Sequence, residues 1–532
     1  MGMILIRGAE VFDGTGEAAC RVDVGVSGGR IAAVGRDLPG SAGQTIDAAG
    51  LALAPGFIDI HSHTDLSIFA RPPAESKIRQ GVTTEVVGNC GIGAFPVRPE
   101  RRDLLTDSLR MHGAHLPANG VDWTDFSSYA DRIAQLELGV NLAPLVAHGS
   151  LRIAAMGAED RPPTAAELAE MEALLEDALR QGAWGMSTGL IYPPGSYAAT
   201  AEIVALAEIL ARHGTVYTSH IRGEGETLLP ALAEAVQIGR ESGARVQVSH
   251  LKALGRKNWG RGREALALLE ASRLEGVDVA ADQYPYEATS TALSALVPAW
   301  AHAGGVHALL GRLAAAELRD RLAAEIAGTM EGRGGADRVQ VARVGSAGNA
   351  GLSGRTVQEI ASRWGVSPET AVVRLLLEER AEVGAVYFSL SPEDVAAIMV
   401  SSFVAVGSDG QALSAEEDQG QATHPRSYGT FARVLGEYVR ERRLLSLPLA
   451  IHKMTGLPAS RMGLSDRGHI RPGCAADLVL FDPATVRDRA DFQDPHQYAA
   501  GIESVFVNGR PVVRNGQLTG ERPGQVLRSR LA

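Results

Sequence analysis

Residues 53–63 read LAPGFIDIHSH, a short apolar run that ends on His61 and His63. In an extended chain residues i and i+2 point to the same side, so these two imidazoles can grip one metal ion. Seven further stretches share the pattern, most of them an apolar run closed by a polar residue: TTEVVGNC (83–90), NLAPLVAH (141–148), AWGMSTG (183–189), TVYTSH (215–220), RVQVSH (245–250), DVAADQY (278–284) and FVAVGSD (403–409). Ala- and Leu-rich helical segments separate them, TAAELAEMEALLEDALRQG at 164–182 among them. Strands alternating with helices predict βαβ units and a parallel sheet. Eight such units predict a (β/α)8 TIM-like barrel, whose C-terminal strand ends converge on one face and build the active site. Those ends carry His61, Cys90, His148, His220, His250, Tyr284 and Asp409.

The chain ends read differently. Residues 1 to about 50, and about 466 to 525, are short apolar runs broken by glycine, and Asn508-Gly509 between VFV and RPVV is a hairpin turn signal. The expected division is 1–54 and 466–532 as two parts of one small β-sandwich, with 55–465 as the barrel. The stretch 285–400 is too long for one crossover. Its helical segments, roughly 306–328, 355–364 and 368–382, predict an inserted subdomain near the barrel mouth.

A chain of 532 residues, 45% hydrophobic and 21% charged, has room for a barrel and a satellite domain. A formal net charge of −11 argues against a nucleic-acid partner. Cys20, Cys90 and Cys474 are too few and too scattered for a disulfide framework. No stretch reads as a signal peptide or a membrane span, so a cytoplasmic protein is expected. The composition leaves the oligomeric state open. Of 51 basic residues only Lys77, Lys252, Lys257 and Lys453 are lysines, so a lysine inside a motif is less readily incidental.

His220 and His250 end consecutive predicted strands, which brings both within one ion's reach. Cys90 sits between glycines in VGNCG at another strand end. A buried cysteine is most often a small hydrophobe, but a thiolate at a barrel mouth is a good zinc ligand. Asp409, in VGSDG at the last strand end, suits a turn or helix cap. Facing histidines and a cysteine, it suits a general base with a metal contact better.

PGFIDIHSHTD, the GNCG strand end, two single histidines and the late GSDG resemble the amidohydrolase superfamily. GMSTGLIYPPGSYA, SHIRGEGE, SHLKALGRKNWG, DQYPYEATST and HPRSYGTFARVLG narrow the resemblance to the D-aminoacylase (N-acyl-D-amino-acid deacylase) family, over nearly the whole chain. The resemblance implies a metallo-barrel with a β-sandwich and a tight zinc site at Cys90, His220 and His250. It implies a second, weaker site at His61 and His63, often dispensable. It also implies a small N-acyl-D-amino acid as substrate, Lys252 as receptor of the substrate carboxylate, and Tyr284 and Tyr192 as hydroxyl donors. Asp409 is then the residue that moves the proton. His148 and the segment His424, Arg426, Ser427 are expected near the mouth, with no role assigned.

Two rivals are weighed. A cyclic amidohydrolase such as a dihydropyrimidinase bridges its metals with a lysine on the fourth strand, whereas AWGMSTG has none. An inactive scaffold barrel should have lost some of the candidate ligands, and none is lost. The stretch 284–301, YPYEATSTALSALVPAWA, holds no Lys or Arg and includes Trp300. It predicts an apolar pocket and a preference for hydrophobic D-amino acids, unless an arginine reaches in from elsewhere in the insertion, Arg312 being one candidate.

Overall fold

The structure, a computed structural model, describes residues 3–39 and 43–529. Its centre is a run of parallel strands. Phe57–Asp59, Val82–Val87 and Asn141–Pro144 pair in that order. Val146–Ala147, Gly185–Gly189, Val216–His220, Arg245–Val248, Val279–Gln283 and Val404–Val406 follow as a second parallel set. Leu145 joins the sets: its N–H donates to Val87, while the carbonyl of Pro144 accepts from Trp184. The first and last strands meet in a parallel bridge at Ser62 and Gly410, and Asp409 N–H donates to the His61 carbonyl at 2.7 Å. Each predicted strand therefore contributes to one ring of pairings. Helices such as Ala165–Gln181, Thr200–Arg212 and Leu228–Ser242 pack outside it. The first of these follows the sequence at both ends: Thr164 and Glu167 form a reciprocal cap, and Gly182 ends the helix in the left-handed region.

The predicted strand 53–61 is split. Ala52–Pro55 pairs with Leu478–Phe481 and with Glu10–Val11, joining the sheet of the chain ends, and only Phe57–Asp59 enters the ring. The chain ends form a seven-stranded sheet and a four-stranded sheet. Ile6, Val24, Val26, Leu53, Leu478, Leu480 and Phe506 share one core there. Asn508 and Gly509 both adopt positive φ (49° and 76°) between Ile502–Val507 and Arg510–Arg514, as the turn signal required. The end of the chain departs from the expected division. Gly524 and Val526 bridge to Leu138 and Leu142, and the Leu527 carbonyl accepts from Trp184 Nε1, so this tail runs along the ring.

The insertion carries the expected helices, with the first one broken into Val306–Ala314 and Arg319–Gly332. It also holds a three-stranded antiparallel sheet that the sequence reading lacks, Thr289–Ala292, Gly384–Tyr387 and Val339–Arg343 in spatial order. These strands are short and pair across long helical gaps, so no local turn signal announces them. Val339, Val341, Ala385 and Tyr387 on one face of this sheet share a separate core with Leu309, Ile326, Val372 and Leu375. Among the described residues no helix is long and apolar enough to cross a membrane.

Candidate active site

The strand ends do converge. Cys90 Sγ lies 3.3 Å from His61 Nε2 and 3.4 Å from His250 Nε2. Two sets of potential ligands share this sulfur: Cys90, His220 and His250, and His61, His63, Cys90 and Asp409. Within each set the ligand atoms lie within 4.8 Å of one another. Ligands 2.0–2.3 Å from a tetrahedral zinc stand roughly 3.3–3.8 Å apart, so the spacing suits such an ion.

Two further observations support the fit. His220 is buried, yet neither Nδ1 nor Nε2 makes a hydrogen bond among the described residues, which leaves its lone pair available to a metal ion. His61 turns Nδ1 to the Asp282 carboxylate at 3.0 Å, while His250 Nδ1 lies 2.7 Å from Lys252 Nζ and 3.3 Å from Glu224, and both rings leave Nε2 facing the sulfur. A carboxylate behind the imidazole is the usual orienting partner of a metal-bound histidine.

The local backbone is strained to make this cluster. Cys90, His250 and Asp409 sit at φ of 56°, 34° and 51°, in or near the left-handed region that side chains normally avoid. Such strain is found where function over-determines the geometry. The strand ends also crowd together: a side chain at Gly91 would approach Gly189 N to 2.5 Å.

The electrostatics follow from the packing. Burial pushes the Cys90 thiol up, but His61 and His250 outweigh it, so its pKa falls well below the usual thiol value. Burial likewise disfavours charge on His63, and contacts with Asp409 and Cys90 outweigh it, raising its pKa to about 9. Asp409 is held well below the carboxylate range: burial opposes ionisation, and Arg426 and His250 overcome it. Arg426 Nη1 lies 2.7 Å from Asp409 Oδ2, and His63 Nε2 lies 3.1 Å from Oδ1.

Lys252 Nζ reaches Glu224 Oε1 at 2.5 Å and His250 Nδ1 at 2.7 Å. Tyr284 is buried, its hydroxyl without a partner among the described residues, beneath Arg426 at 5.0 Å. The Tyr192 hydroxyl is 3.0 Å from Thr291 Oγ1, and its ring stands 5.0 Å from His220. His63, Cys90, His220, His250, Lys252, Tyr284, Tyr192, Asp409, His424, Arg426 and Ser427 all line one cavity, with His61 buried just behind. His148 is buried away from it, 2.8 Å from Glu202, which also binds Arg152.

Sequence reasoning missed two residues and left a third, expected near the mouth, without a role. Asp282 shares a strand face with Tyr284 by i, i+2 spacing, and that alternation could have revealed it. Glu224 lies four residues after His220 within SHIRGEGE. Arg426 lies in the HPRS segment but had been given no partner. From the stretch 284–301 the cavity wall takes Tyr284, Thr289, Ser290, Thr291 and Ala292. Trp300 donates to Glu325 and Arg312 to the carbonyls of Ala301 and Ala303, both away from the cavity. Arg333 and Arg343, from the middle of the stretch 285–400, stand on its wall.

The chain matches the family model described as "Amidohydrolase family" over residues 44–513. It is 41% identical to an N-acyl-D-aspartate deacylase of Alcaligenes xylosoxydans xylosoxydans, across 98% of this chain and 94% of that one. The crystal structure of N-acyl-D-glutamate deacylase from Bordetella bronchiseptica superposes with a TM-score of 0.83 at 38% identity, covering 99% of both chains. That structure is complexed with zinc and a phosphonate inhibitor that mimics the tetrahedral intermediate. A D-aminoacylase structure gives a TM-score of 0.81 at 39% identity over 99% of both chains, and it is described as having a binuclear metal centre with one-metal activation and second-metal attenuation.

Proposed function

We infer that this chain, which belongs to the amidohydrolase family, is a zinc-dependent enzyme that hydrolyses the amide bond of N-acyl-D-amino acids to a carboxylate and a free D-amino acid. The observation that carries the reading is the Cys90 sulfur, shared between two histidine sets beside Asp409, on a cavity that also presents Lys252. Cys90, His220 and His250 hold the tighter zinc. His61 and His63, with Cys90 and Asp409, form a second and weaker site. Zinc, when bound, supplies an acidified water and a polarising charge at the scissile carbonyl.

The chain's own residues do the rest. Asp409 accepts the proton of the attacking water and returns it to the leaving nitrogen. Its contact with Arg426 keeps it ionised and aimed before the reaction. Lys252 receives the substrate's α-carboxylate, with Glu224 holding the ammonium in place. The unpaired Tyr284 hydroxyl faces the same space, and Tyr192 closes it on the His220 side. Fixing the carboxylate at one end and the amide at the metal end distinguishes D from L substrates, because only one enantiomer can then direct its side chain into the remaining cavity.

The frame is a closed (β/α)8 barrel, with the chain ends as a β-sandwich and 285–400 as an inserted subdomain. The Ser62–Gly410 bridge and the separate apolar cores support this division. A cyclic amidohydrolase is disfavoured, because Gly185–Gly189 offers no lysine to bridge two metals. The test is a panel of N-acetyl-D- and N-acetyl-L-amino acids offered to the zinc-loaded enzyme. Release of free D-amino acids, with the L series at least about 100-fold slower, is expected for a site that discriminates by fixed polar contacts. Equal rates on both series, or turnover of cyclic amides alone, would refute it.

A further inference from the structure

Arg343 is a cation without a counter-ion. It ends the strand Val339–Arg343 and sits beside Gly384 and Ala292 in the insertion's sheet, on the cavity wall. Among the described residues its guanidinium makes no hydrogen bond and has no carboxylate within 4.0 Å. Burial lowers its pKa, and the carboxylates that act on it, Glu382 and Glu379, do so only from a distance. Glu379 is moreover occupied by Gly345 N, Ser346 and Asn349. Leaving a guanidinium half-buried and unpaired is costly, and such a group invites an anion.

The surroundings are built to hold it there. A side chain on Gly113, at φ 89°, would stand 3.0 Å from Arg343 Nη2, and one on Gly384 would stand 3.3 Å from Arg343 Cβ. The guanidinium thus lies against bare backbone. Neighbouring His112 is neutral, its pKa pushed down to about 4 by burial, with Nδ1 committed to the Ser108 carbonyl at 2.8 Å. Arg333 adds a second positive charge, stacked 4.5 Å over Tyr387.

The acidic groups on the cavity wall are all engaged elsewhere. Glu224 is held by Lys252, Asp409 by Arg426, and Asp418 by Arg71 at 2.8 Å. The surplus charge at this end of the cavity is therefore positive. Tyr192 connects it to the metal ligands: its ring meets His220 at 5.0 Å and His112 at 5.6 Å, and its hydroxyl meets Thr291, in the same sheet as Arg343.

We propose that Arg343 receives the side-chain carboxylate of the substrate, so that the enzyme selects N-acyl derivatives of acidic D-amino acids, D-aspartate or D-glutamate. The planar guanidinium can donate two parallel hydrogen bonds to a carboxylate, and the substrate anion supplies the charge that the fold omits. This inference rests on the deacylase reading above and runs against the apolar preference expected from 284–301.

The test compares kcat/KM on N-acetyl-D-aspartate, N-acetyl-D-glutamate and N-acetyl-D-leucine for the zinc-loaded parent, Arg343→Met and Arg343→Lys. The parent should cleave at least one acidic substrate about 10- to 100-fold better than the leucine compound, as a charged hydrogen-bonded pair allows. Arg343→Met should lose that margin, mostly through KM, while the leucine rate stays level or rises. Arg343→Lys should restore part of the preference. A parent that favours the leucine compound, or an Arg343→Met enzyme with an unchanged acidic-to-leucine ratio, overturns the assignment. Should Arg343→Met lose all three activities, the parent's own preference and the Arg343→Lys ratio still decide. If the parent cleaves none of the three, it is the deacylase reading that fails.

Discussion

Asp409 is held from two sides, by Arg426 on one oxygen and His63 on the other. Both contacts favour the carboxylate over the acid, which suits a group that must start the reaction ionised. Asp409→Asn keeps the shape and removes the base. Turnover of N-acetyl-D-amino acids should fall on the order of 10²-fold or more, while zinc content by elemental analysis stays close to the parent's. Near-normal turnover would assign the proton to another group. The residues that the fold brings together around Cys90 were legible because His, Cys and a late Asp closed the apolar runs read as strands. Glu224 and Asp282 were not, nor was the role of Arg426. Acidic and arginine side chains recur throughout such a sequence, and what sets these three apart is only which imidazole or carboxylate the fold turns toward them.

At the scale of elements, the ring's strand ends were readable from apolar runs closed by polar residues, and the inserted sheet was not. The pairing of Thr289–Ala292 with Gly384–Tyr387 spans about ninety residues and rests on packing against the helices between. Arg343 was hidden for the same reason: nothing local tells that its strand returns to the cavity. The helix Leu447–Met454 holds a different buried cation. Lys453 has the Ser401 carbonyl as its partner, and burial lowers its pKa from 10.5 to about 7. Below pH 7 both folded and unfolded chains carry the proton, and the fold bears the full cost of burying the charge. Between pH 7 and 10.5 the unfolded chain binds more protons than the folded one, so this group makes stability rise with pH. Lys453→Met should therefore be more stable than the parent at pH 7, by on the order of a few kcal/mol, with the gain shrinking toward pH 10. Thermal melts of both proteins across that range check it, and a variant that melts below the parent at pH 7 contradicts it.

For the whole molecule, the arrangement makes the cavity a meeting place of two structures. The ring supplies the ligand cluster, Asp409 and Lys252, and the insertion supplies the opposite wall with Thr291, Arg333 and Arg343. Chemistry and side-chain choice thus sit on different parts of the chain, which allows the second to change while the first is kept. The sheets of the chain ends lie outside this division: Ala52–Pro55 leads from them directly into the first ring strand, and the tail at Gly524–Val526 is tied to the third. The central claim is that zinc held through Cys90 drives amide hydrolysis, and zinc titration of the metal-free enzyme, followed as release of D-amino acid, tests it most directly. Turnover should rise to its plateau with the first equivalent of zinc in the parent, and nearly so in His63→Ala, whereas Cys90→Ala should neither retain the ion nor turn over. A Cys90→Ala protein that binds one zinc tightly and hydrolyses N-acetyl-D-amino acids at the parent's rate would contradict the account.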